Sequence, residues 1–194
     1  MQKISRKDIL DILEYEKIRP EIRKKIIDLK KRRRVAVGPK VTMMFENKET
    51  VKFQIQEMLR IERIVDEEFI KQEIETYNAL IPNDNELSAS LFIEITEKEK
   101  IKPELDKLLG LEKNSVFLKI GRHLISGYFD EAQFSDSRIS AVQYIRFPFT
   151  PQQIHEMSNF NEPTSVVINH PTYKYDAEIP LAVRTSIIDD FGVE

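Results

Sequence analysis

Hydrophobic and polar positions along the chain follow helical spacing in some segments and strand spacing in others. Near the N-terminus apolar residues recur every three or four positions, and Pro20 stands where a second helix would begin, which predicts a helical hairpin within residues 1–34. The longest helical pattern runs over 48–80, after the capping residue Asn47, and is expected to break near Asp66. A C-terminal helix is predicted to begin at Pro180.

Strands are predicted where β-branched and aromatic residues dominate, namely over 35–37, 41–45, 87–95, 116–120, 124–129, 139–147 and 165–168. The polar stretch 131–137 is predicted as a loop. Several connections are too short for a parallel crossover, so the pattern predicts an α+β fold with a mainly antiparallel sheet of about five strands. We expect residues 1–194 to form a single domain, with 1–34 as a helical subregion packed on the rest.

The amino-acid composition excludes several classes of functional site. The chain has no cysteine, which excludes thiolate nucleophiles, thiolate zinc sites and redox disulfides. Its five glycines are scattered and form no phosphate-binding loop, so no nucleotide cofactor is indicated. No run of about 18 apolar residues occurs, and a cytoplasmic protein without a membrane segment is expected.

Charge is unevenly distributed along a chain whose net charge is −3. A basic patch follows the predicted hairpin, while the rest of the chain has an excess of acids; the patch comprises Lys30, Lys31, Arg32, Arg33 and Arg34. Cations at the end of a helix complement its dipole, and the patch has no aromatic residue for stacking on bases. Nucleic-acid binding is therefore disfavoured, and a protein partner is expected.

Two carboxylates fall within the apolar stripe of the long helical pattern. At about 100° per residue, Glu62 and Glu73 lie among the hydrophobic positions. A carboxylate taken out of water needs a cation, hydrogen bonds or a metal, so these two residues and His170 at a strand end are candidate metal ligands. The alternative is that both carboxylates form structural ion pairs or lie at the rim of the stripe. No cofactor is evident from any motif, and a divalent metal is compatible with this candidate set.

The same helical pattern carries alternating charges at Glu57, Arg60 and Arg63. Such a texture is most typical of a solvated helix face with modest ion pairs, although these residues also belong to the candidate functional cluster. A period of two on the strand 139–147 places Gln143 on the apolar face and Arg146 on the other. With Tyr144 beside it, Arg146 offers a surface for a planar anion or for stacking; the alternative is an amphipathic strand with one wet face.

His170 precedes a proline at a strand end, and Tyr173 follows three residues later. A polar side chain projecting from the end of a strand is well placed for binding, yet the same position suits a structural turn. No acid or hydroxyl stands at a spacing typical of a catalytic triad, which favours the structural interpretation.

Six strings spread over nearly the whole chain resemble an uncharacterised bacterial family catalogued as a domain of unknown function. They are RPEIRKKIIDLKKRRRVAVGPKVTMMFEN, QIQEMLRIERI, YNALIP, ELSASLFIEI, SAVQYIRF and NHPTYKY. The resemblance implies gene neighbours of the rubrerythrin-like and iron–sulphur oxidoreductase kinds, and hence a role near peroxide or electron-transfer metabolism. It brings no established catalytic residues, and it adds Tyr77 and Asn78 only as polar members of matching strings.

Two functional hypotheses result. The favoured one is a non-enzymatic accessory or binding protein of a bacterial redox system, whose basic helix and acidic surface dock a protein partner. The alternative is a small metal- or anion-dependent enzyme in which Glu62, Glu73 and His170 form one cluster. A homodimer is compatible with a chain of this size.

Overall fold

The computed structural model describes residues 2–130 and 138–192, so the loop predicted at 131–137 lies outside the described residues. The helices are α1 (Ile12–Lys31), α2 (Lys48–Glu62), α3 (Glu67–Asn78), α4 (Ile101–Asp106), α5 (Pro151–Ser158) and α6 (Leu181–Ile188). The strands are β1 (Arg34–Val37), β2 (Val41–Glu46), β3 (Glu86–Ile93), β4 (Val116–Ile120), β5 (His123–Ser126), β6 (Tyr128–Phe129), β7 (Val142–Pro148), β8 (Thr164–His170) and β9 (Tyr173–Glu178). No helix in the two described ranges is long and apolar enough to span a bilayer.

The strands form two antiparallel sheets, which confirms the predicted α+β fold. One sheet has five strands in the order β1-β2-β3-β7-β6, and the other has four in the order β5-β4-β8-β9. The sequence pattern predicts one sheet of about five strands and does not indicate β9. In β9 the exposed Lys174 and Asp176 alternate with tyrosines. This strand therefore lacks the β-branched and apolar residues by which the other strands were predicted.

The main hydrophobic core lies between the inner faces of the two sheets and includes residues of α5 and α6. On β2 the inner-face residues Met43 and Phe45 are fully buried, and Leu118 of β4 contributes from the other sheet. The alternation of strand residues therefore works as predicted, with one apolar face on each sheet turned towards this core.

A second hydrophobic cluster joins α2 and α3 to the N-terminal segment 2–10, which we call the N-terminal strap. Ile4 and Ile9 of the strap are buried against Ile55 of α2 and Ile70 of α3. The C-terminal end of α3 lies against the outer face of the five-stranded sheet, where the carbonyl of Leu80 accepts a hydrogen bond from a serine of β3.

The predicted N-terminal hairpin is instead one helix of 20 residues that continues through Pro20. Proline inside a helix removes one backbone hydrogen bond, but packing on both sides of it holds α1 against α2. Tyr15 before the proline and Ile26 after it are both buried. Tertiary contacts thus outweigh the local signal that suggested two helices.

The predicted break in the long helical pattern is confirmed near Asp66. Arg63 ends α2 in the left-handed conformation at φ 53°, and Asp66 caps α3 by accepting a hydrogen bond of 2.9 Å from the backbone of Glu68. The C-terminal helix follows Pro180 as predicted.

Candidate functional site

A row of polar residues crosses the outer face of the five-stranded sheet. Glu46 on β2 lies directly opposite Ser88 on β3, which in turn lies opposite Arg146 on β7. Tyr128 on β6 pairs with Arg146 and completes the row. Residues opposite one another in an antiparallel pair project from the same face, so strand register alone gathers these side chains.

Glu46 is buried at one end of this row, with 4% of its surface exposed. Its Oε2 accepts a hydrogen bond of 2.5 Å from the hydroxyl of Thr50, and its Oε1 accepts one of 2.5 Å from Ser90. Thr50 lies in the first turn of α2, so the short connection from β2 to α2 brings this hydroxyl to the acid. Among the described residues, none of the ion pairs includes Glu46. The hydrogen bonds that hold this buried carboxyl group therefore come from hydroxyl groups, and Lys30 acts on it only electrostatically, without an ion-pair contact.

A cavity of about 540 Å³ lies between the polar row and the C-terminal end of α3. Small residues in the middle of β3, Ser88 and Ala89, form part of its floor, where larger side chains would fill the space. Aromatic and aliphatic side chains form much of the walls, namely Tyr77, Leu80, Tyr128, Phe129 and Tyr144. Glu46 and Arg146 both contact this space, two strands apart. We call it the Glu46 pocket.

Two tyrosines of the pocket keep their phenol groups neutral. Burial raises the pKa of Tyr144, and the nearby Tyr77 and Glu46 raise it further. Burial likewise raises the pKa of Tyr77, and a hydrogen bond with the side chain of Gln54 opposes this shift. Both rings therefore present an aromatic face and a polar, uncharged hydroxyl to the pocket.

Arg146 and Tyr144 lie on the same face of β7, as the strand pattern predicts, and both line the pocket. The guanidinium of Arg146 is however bound by the carboxylate of Glu86 and by the carbonyl of Ala79 at the end of α3. These contacts fix α3 to β7, so Arg146 acts first as a structural link. The planar anion surface that the sequence predicted is thus occupied by groups of the protein itself.

Gln143 lies on the inner face of β7 and is fully buried, as predicted for a polar residue on the apolar side. Its Nε2 donates a hydrogen bond of 2.5 Å to the carbonyl of Ser140. Its Oε1 has no hydrogen-bond partner in the described part of the protein. Because β7 alternates, Gln143 faces away from the side of the sheet that carries the Glu46 pocket.

Glu57 and Arg60 form a structural cluster between α1 and α2. Both oxygens of Glu57 bind the guanidinium of Arg19, at 2.7 and 2.9 Å, and Oε1 also accepts a hydrogen bond of 2.7 Å from Tyr15. The hydrogen bonds from Arg19 lower the pKa of Glu57 to about 2. Arg60 lies 3.3 Å from Glu57 and 3.6 Å from Glu16. The predicted ion pairs are present, but they join α1 to α2 and do not lie on a solvated helix face.

The predicted apolar stripe with Glu62 and Glu73 does not form, because the break at 63–66 resets the helical phase. Glu62 is the last residue of α2 and is exposed, and Arg63 is an exposed cap. Glu73 is half-buried on α3. Projecting residues at a constant angle is valid only within one continuous helix. Because the projection was carried across the break between α2 and α3, it wrongly placed Glu62 and Glu73 on one buried face.

His170 is buried, and both of its ring nitrogens already have hydrogen-bond partners. Nδ1 lies 3.0 Å from the hydroxyl of Thr172, and Nε2 lies 3.0 Å from the carbonyl of Leu109. Tyr173 is buried too and donates a hydrogen bond of 2.6 Å to the carbonyl of Val37. Within residues 2–130 and 138–192, no group of three or more His, Asp or Glu side chains is arranged to hold a metal ion. The structure therefore does not assemble the predicted cluster of carboxylates and His170.

The basic patch divides into buried and exposed members. Arg33 is fully buried, forms an ion pair with Asp190 and donates hydrogen bonds to the carbonyls of Phe45 and Ser186. Lys30 is half-buried, with its ammonium 5.5 Å from the centre of the Phe53 ring. The other three, Lys31, Arg32 and Arg34, are exposed. Arg33 is thus part of the fold, and the exposed basic surface differs from the predicted patch.

Sequence reasoning missed Glu46, Thr50, Ser88 and Ser90. A glutamate at the end of a predicted strand, followed by a threonine four residues later, resembles many surface positions. The two serines at a spacing of two in β3 were a signal, because both fall on one face of the strand and their hydroxyls need hydrogen-bond partners if that face is buried. The residues that lie beside these two serines depend on the register of β3 with β2 and β7, which the sequence does not show.

Comparisons with known proteins agree on the fold and on membership of a family. A crystal structure of a protein of unknown function from Burkholderia pseudomallei K96243, at 1.90 Å resolution, is similar to this chain with a TM-score of 0.90 and 31% identity. The match covers 97% of this chain and 99% of that protein. No curated protein matches the chain. The sequence profile of DUF3501, described as a protein of unknown function, matches residues 3–191, and the chain belongs to this family.

Proposed function

We propose that this protein is a non-enzymatic binding protein whose Glu46 pocket holds a small organic cation with an apolar body. The observation that carries the proposal is the buried Glu46 carboxyl group, which borders a cavity and forms no ion pair at salt-bridge distance among the described residues, although the half-buried Lys30 lies near enough to act on it electrostatically. An ionised carboxylate out of water costs several kcal/mol unless a cation compensates it. A bound ammonium or guanidinium group would supply the missing positive charge.

The walls of the pocket fit the rest of such a ligand. The rings of Tyr77 and Tyr144 and the side chain of Leu80 border the cavity, and aromatic faces attract organic cations by about 0.5–2 kcal/mol. Its volume of about 540 Å³ suits a ligand of small-molecule size. Two hydroxyl groups already orient the Glu46 carboxylate, so the acid is preorganised before a ligand arrives.

A binding role is consistent with the accessory function expected from the sequence. The pocket offers a carboxylate, hydroxyls and aromatic rings, and the one guanidinium at its edge is occupied by Glu86 and Ala79. These groups recognise and hold a ligand. The link to a redox system, with rubrerythrin-like or iron–sulphur partners, stays a prediction from the resemblance. The cytoplasmic location stays a prediction from the lack of a long apolar run, and the homodimer stays one from the size of the chain.

Isothermal titration of the full chain with three probes tests the proposal. The probes are 2-phenylethylammonium, the neutral 2-phenylethanol and the anionic 3-phenylpropionate, which share an aromatic body and differ in head-group charge. We expect the cation to bind at least tenfold more tightly than the alcohol, and the anion to bind most weakly. Equal affinity for the cation and the alcohol would overturn the proposal, and so would a lack of binding by all three.

Two variants locate the binding site. Glu46→Gln keeps the size of the side chain and removes its charge, so it should remove the preference for the cation. Glu62→Gln removes an exposed carboxylate at the end of α2, outside the pocket, and should leave the preference unchanged. Thr76→Trp fills the edge of the pocket from an exposed position on α3 and should weaken all three probes without touching the core. Unaltered binding by both Glu46→Gln and Thr76→Trp would place the ligand elsewhere.

A further inference from the structure

An exposed band of cations runs along the outer side of α1 and onto β1. Its six residues are exposed, and we call them the basic ridge: Arg23, Lys24, Lys25, Lys31, Arg32 and Arg34. Between the first and last of them the only exposed acid is Asp28, which lies 3.3 Å from Lys31. In the described part of the chain no other ion pair involves the ridge. Most of its charge is thus uncompensated within the protein.

The fold itself does not require these six cations. The helix dipole accounts for a basic residue or two in the last turn of α1, and the patch also supplies Arg33 and Lys30, which point into the structure. Cations grouped on one helix surface repel one another and reduce stability slightly. A cluster of this kind is more useful for binding an acidic partner than for folding.

An exposed apolar side chain lies among the cations of the ridge. Ile27 has 39% of its surface exposed and stands one helical turn from both Arg23 and Lys31. An apolar residue surrounded by charges of one sign is the arrangement of a protein-docking surface, in which a small apolar centre lies within a charged rim.

We infer that the basic ridge docks a protein partner through an acidic face with an apolar recess for Ile27. A nucleic acid fits the observations less well, because the segment 23–34 has no aromatic side chain to stack on bases and the Phe92 ring, 6.0 Å from the guanidinium of Arg34, is partly buried. Six of the chain's 30 basic residues are in the ridge, and the remaining 24 stand against 33 acids, so the rest of the surface repels a polyanion. The partner's acidic face must therefore be about the size of the ridge itself.

Fluorescence anisotropy with a labelled helical peptide tests this inference. The peptide carries glutamates on both sides of a leucine stripe, and its two controls replace either leucine by serine or glutamate by lysine. We expect the wild-type chain to bind the first peptide best, with an affinity that falls at least tenfold between about 50 and 200 mM salt. Absence of binding, or binding that does not respond to salt, would overturn the inference.

Matched variants separate the ridge from overall charge. Arg23→Glu, Lys24→Glu and Lys31→Glu together should abolish binding of the peptide. The control combines Lys98→Glu, Lys113→Glu and Lys119→Glu, which change the net charge equally at exposed positions outside the ridge, and should bind nearly as well as wild type. Ile27→Ser should lower the affinity severalfold while the salt dependence stays the same. Equal losses in both triple variants would show that only net charge matters and would contradict a specific ridge.

Two other occupants of the ridge are distinguished in the same series. Tighter binding of a 20-base-pair DNA duplex than of the peptide, with no effect of Ile27→Ser, would replace the protein partner by a nucleic acid. Ridge-dependent self-association in sedimentation would identify a second copy of the chain as the occupant. Glu46→Gln should leave peptide binding unchanged. The experiments on the basic ridge therefore do not depend on the Glu46 pocket, and either proposal can fail while the other holds.

Discussion

The side-chain amide of Gln56 pairs with both backbone groups of Leu10. The N–H of Leu10 donates to Oε1 at 2.7 Å, and Nε2 donates to the carbonyl of Leu10 at 3.2 Å. Asn78 does the same for Ile4, at 2.9 and 2.8 Å. Two amide side chains, one on α2 and one at the C-terminal end of α3, thus fix the N-terminal strap in the way that a neighbouring β-strand would.

Replacing Gln56 by alanine should destabilise the protein by about 1–3 kcal/mol, because two backbone groups of the strap lose their partners in a partly buried place. Urea unfolding measures this change, and the amide proton of Leu10 should exchange faster. The matched control is Gln72→Ala on the exposed side of α3, which should change stability by less than about 0.5 kcal/mol. Equal stability of the two variants would show that burial of Ile4 and Ile9 alone holds the strap.

The cluster around Glu57 makes stability depend on acid pH. Its pKa is about 2 in the folded protein, against an ordinary value of 4.5, because Arg19 binds the ionised form. The ion pair therefore stabilises the fold above about pH 4.5, and this contribution disappears as the pH falls towards 2. Allowing for solvent screening, we expect it to be about 1–2 kcal/mol.

Urea unfolding of Glu57→Gln at pH 7, 5 and 3 tests this dependence. The variant should be less stable than wild type at pH 7 and pH 5, and the difference should shrink at pH 3. Glu62→Gln, which removes an exposed carboxylate of the same helix, should show little difference at any of these pH values. A difference for Glu57→Gln that stays constant down to pH 3 would contradict the lowered pKa.

The turn between β1 and β2 leaves no room for a side chain at Gly38. Its φ is +72°, and a Cβ atom there would lie 2.5 Å from Cγ of Tyr175 and 2.6 Å from the hydroxyl of Tyr173. Gly38→Ala should therefore combine backbone strain of about 1–2 kcal/mol with an overpacking cost of about 1–3 kcal/mol. Gly192→Ala is the control, because its φ is +63° but nothing lies within 4 Å of the added Cβ.

Thermal unfolding should show a clearly larger fall in Tm for Gly38→Ala than for Gly192→Ala. The added truncation Tyr175→Ala should recover part of the loss in Gly38→Ala, since it removes the nearest colliding ring. If the two glycine variants were equally stable, the close approach of β9 to this turn would not hold in solution.

Features set by neighbouring residues in the sequence were predictable. Asn47 and Asp66 cap α2 and α3, and Pro180 precedes α6, because capping depends on a few adjacent groups. Strand positions also followed from alternation. In contrast, the continuity of α1 through Pro20 depends on contacts with α2, and these contacts outweigh the cost of the missing hydrogen bond.

The candidate site was not predictable for a related reason. Glu46, Ser88, Arg146 and Tyr128 come from four strands whose order in the sheet is not their order in the sequence. Periodicity assigns each residue to a face, but it does not say which residues of another strand lie opposite. The sequence correctly marked Arg146 and Gln143 as unusual and placed them on opposite faces of one strand, but only the strand register shows that Arg146 lies opposite Ser88 and Tyr128.

Gln143 provides a last prediction, in which a polar residue reduces stability. Its Oε1 is buried without a partner in the described residues, which costs about 1–3 kcal/mol, while its Nε2 gains one hydrogen bond to Ser140. Methionine has a similar length and no group to satisfy, so Gln143→Met should be as stable as wild type or more stable by about 1 kcal/mol. Gln143→Ala is the comparison, because its cavity should cost about 2 kcal/mol or more in urea unfolding. A loss above about 1 kcal/mol in Gln143→Met would mean that Oε1 is hydrogen-bonded in solution, by water or by the remainder of the chain.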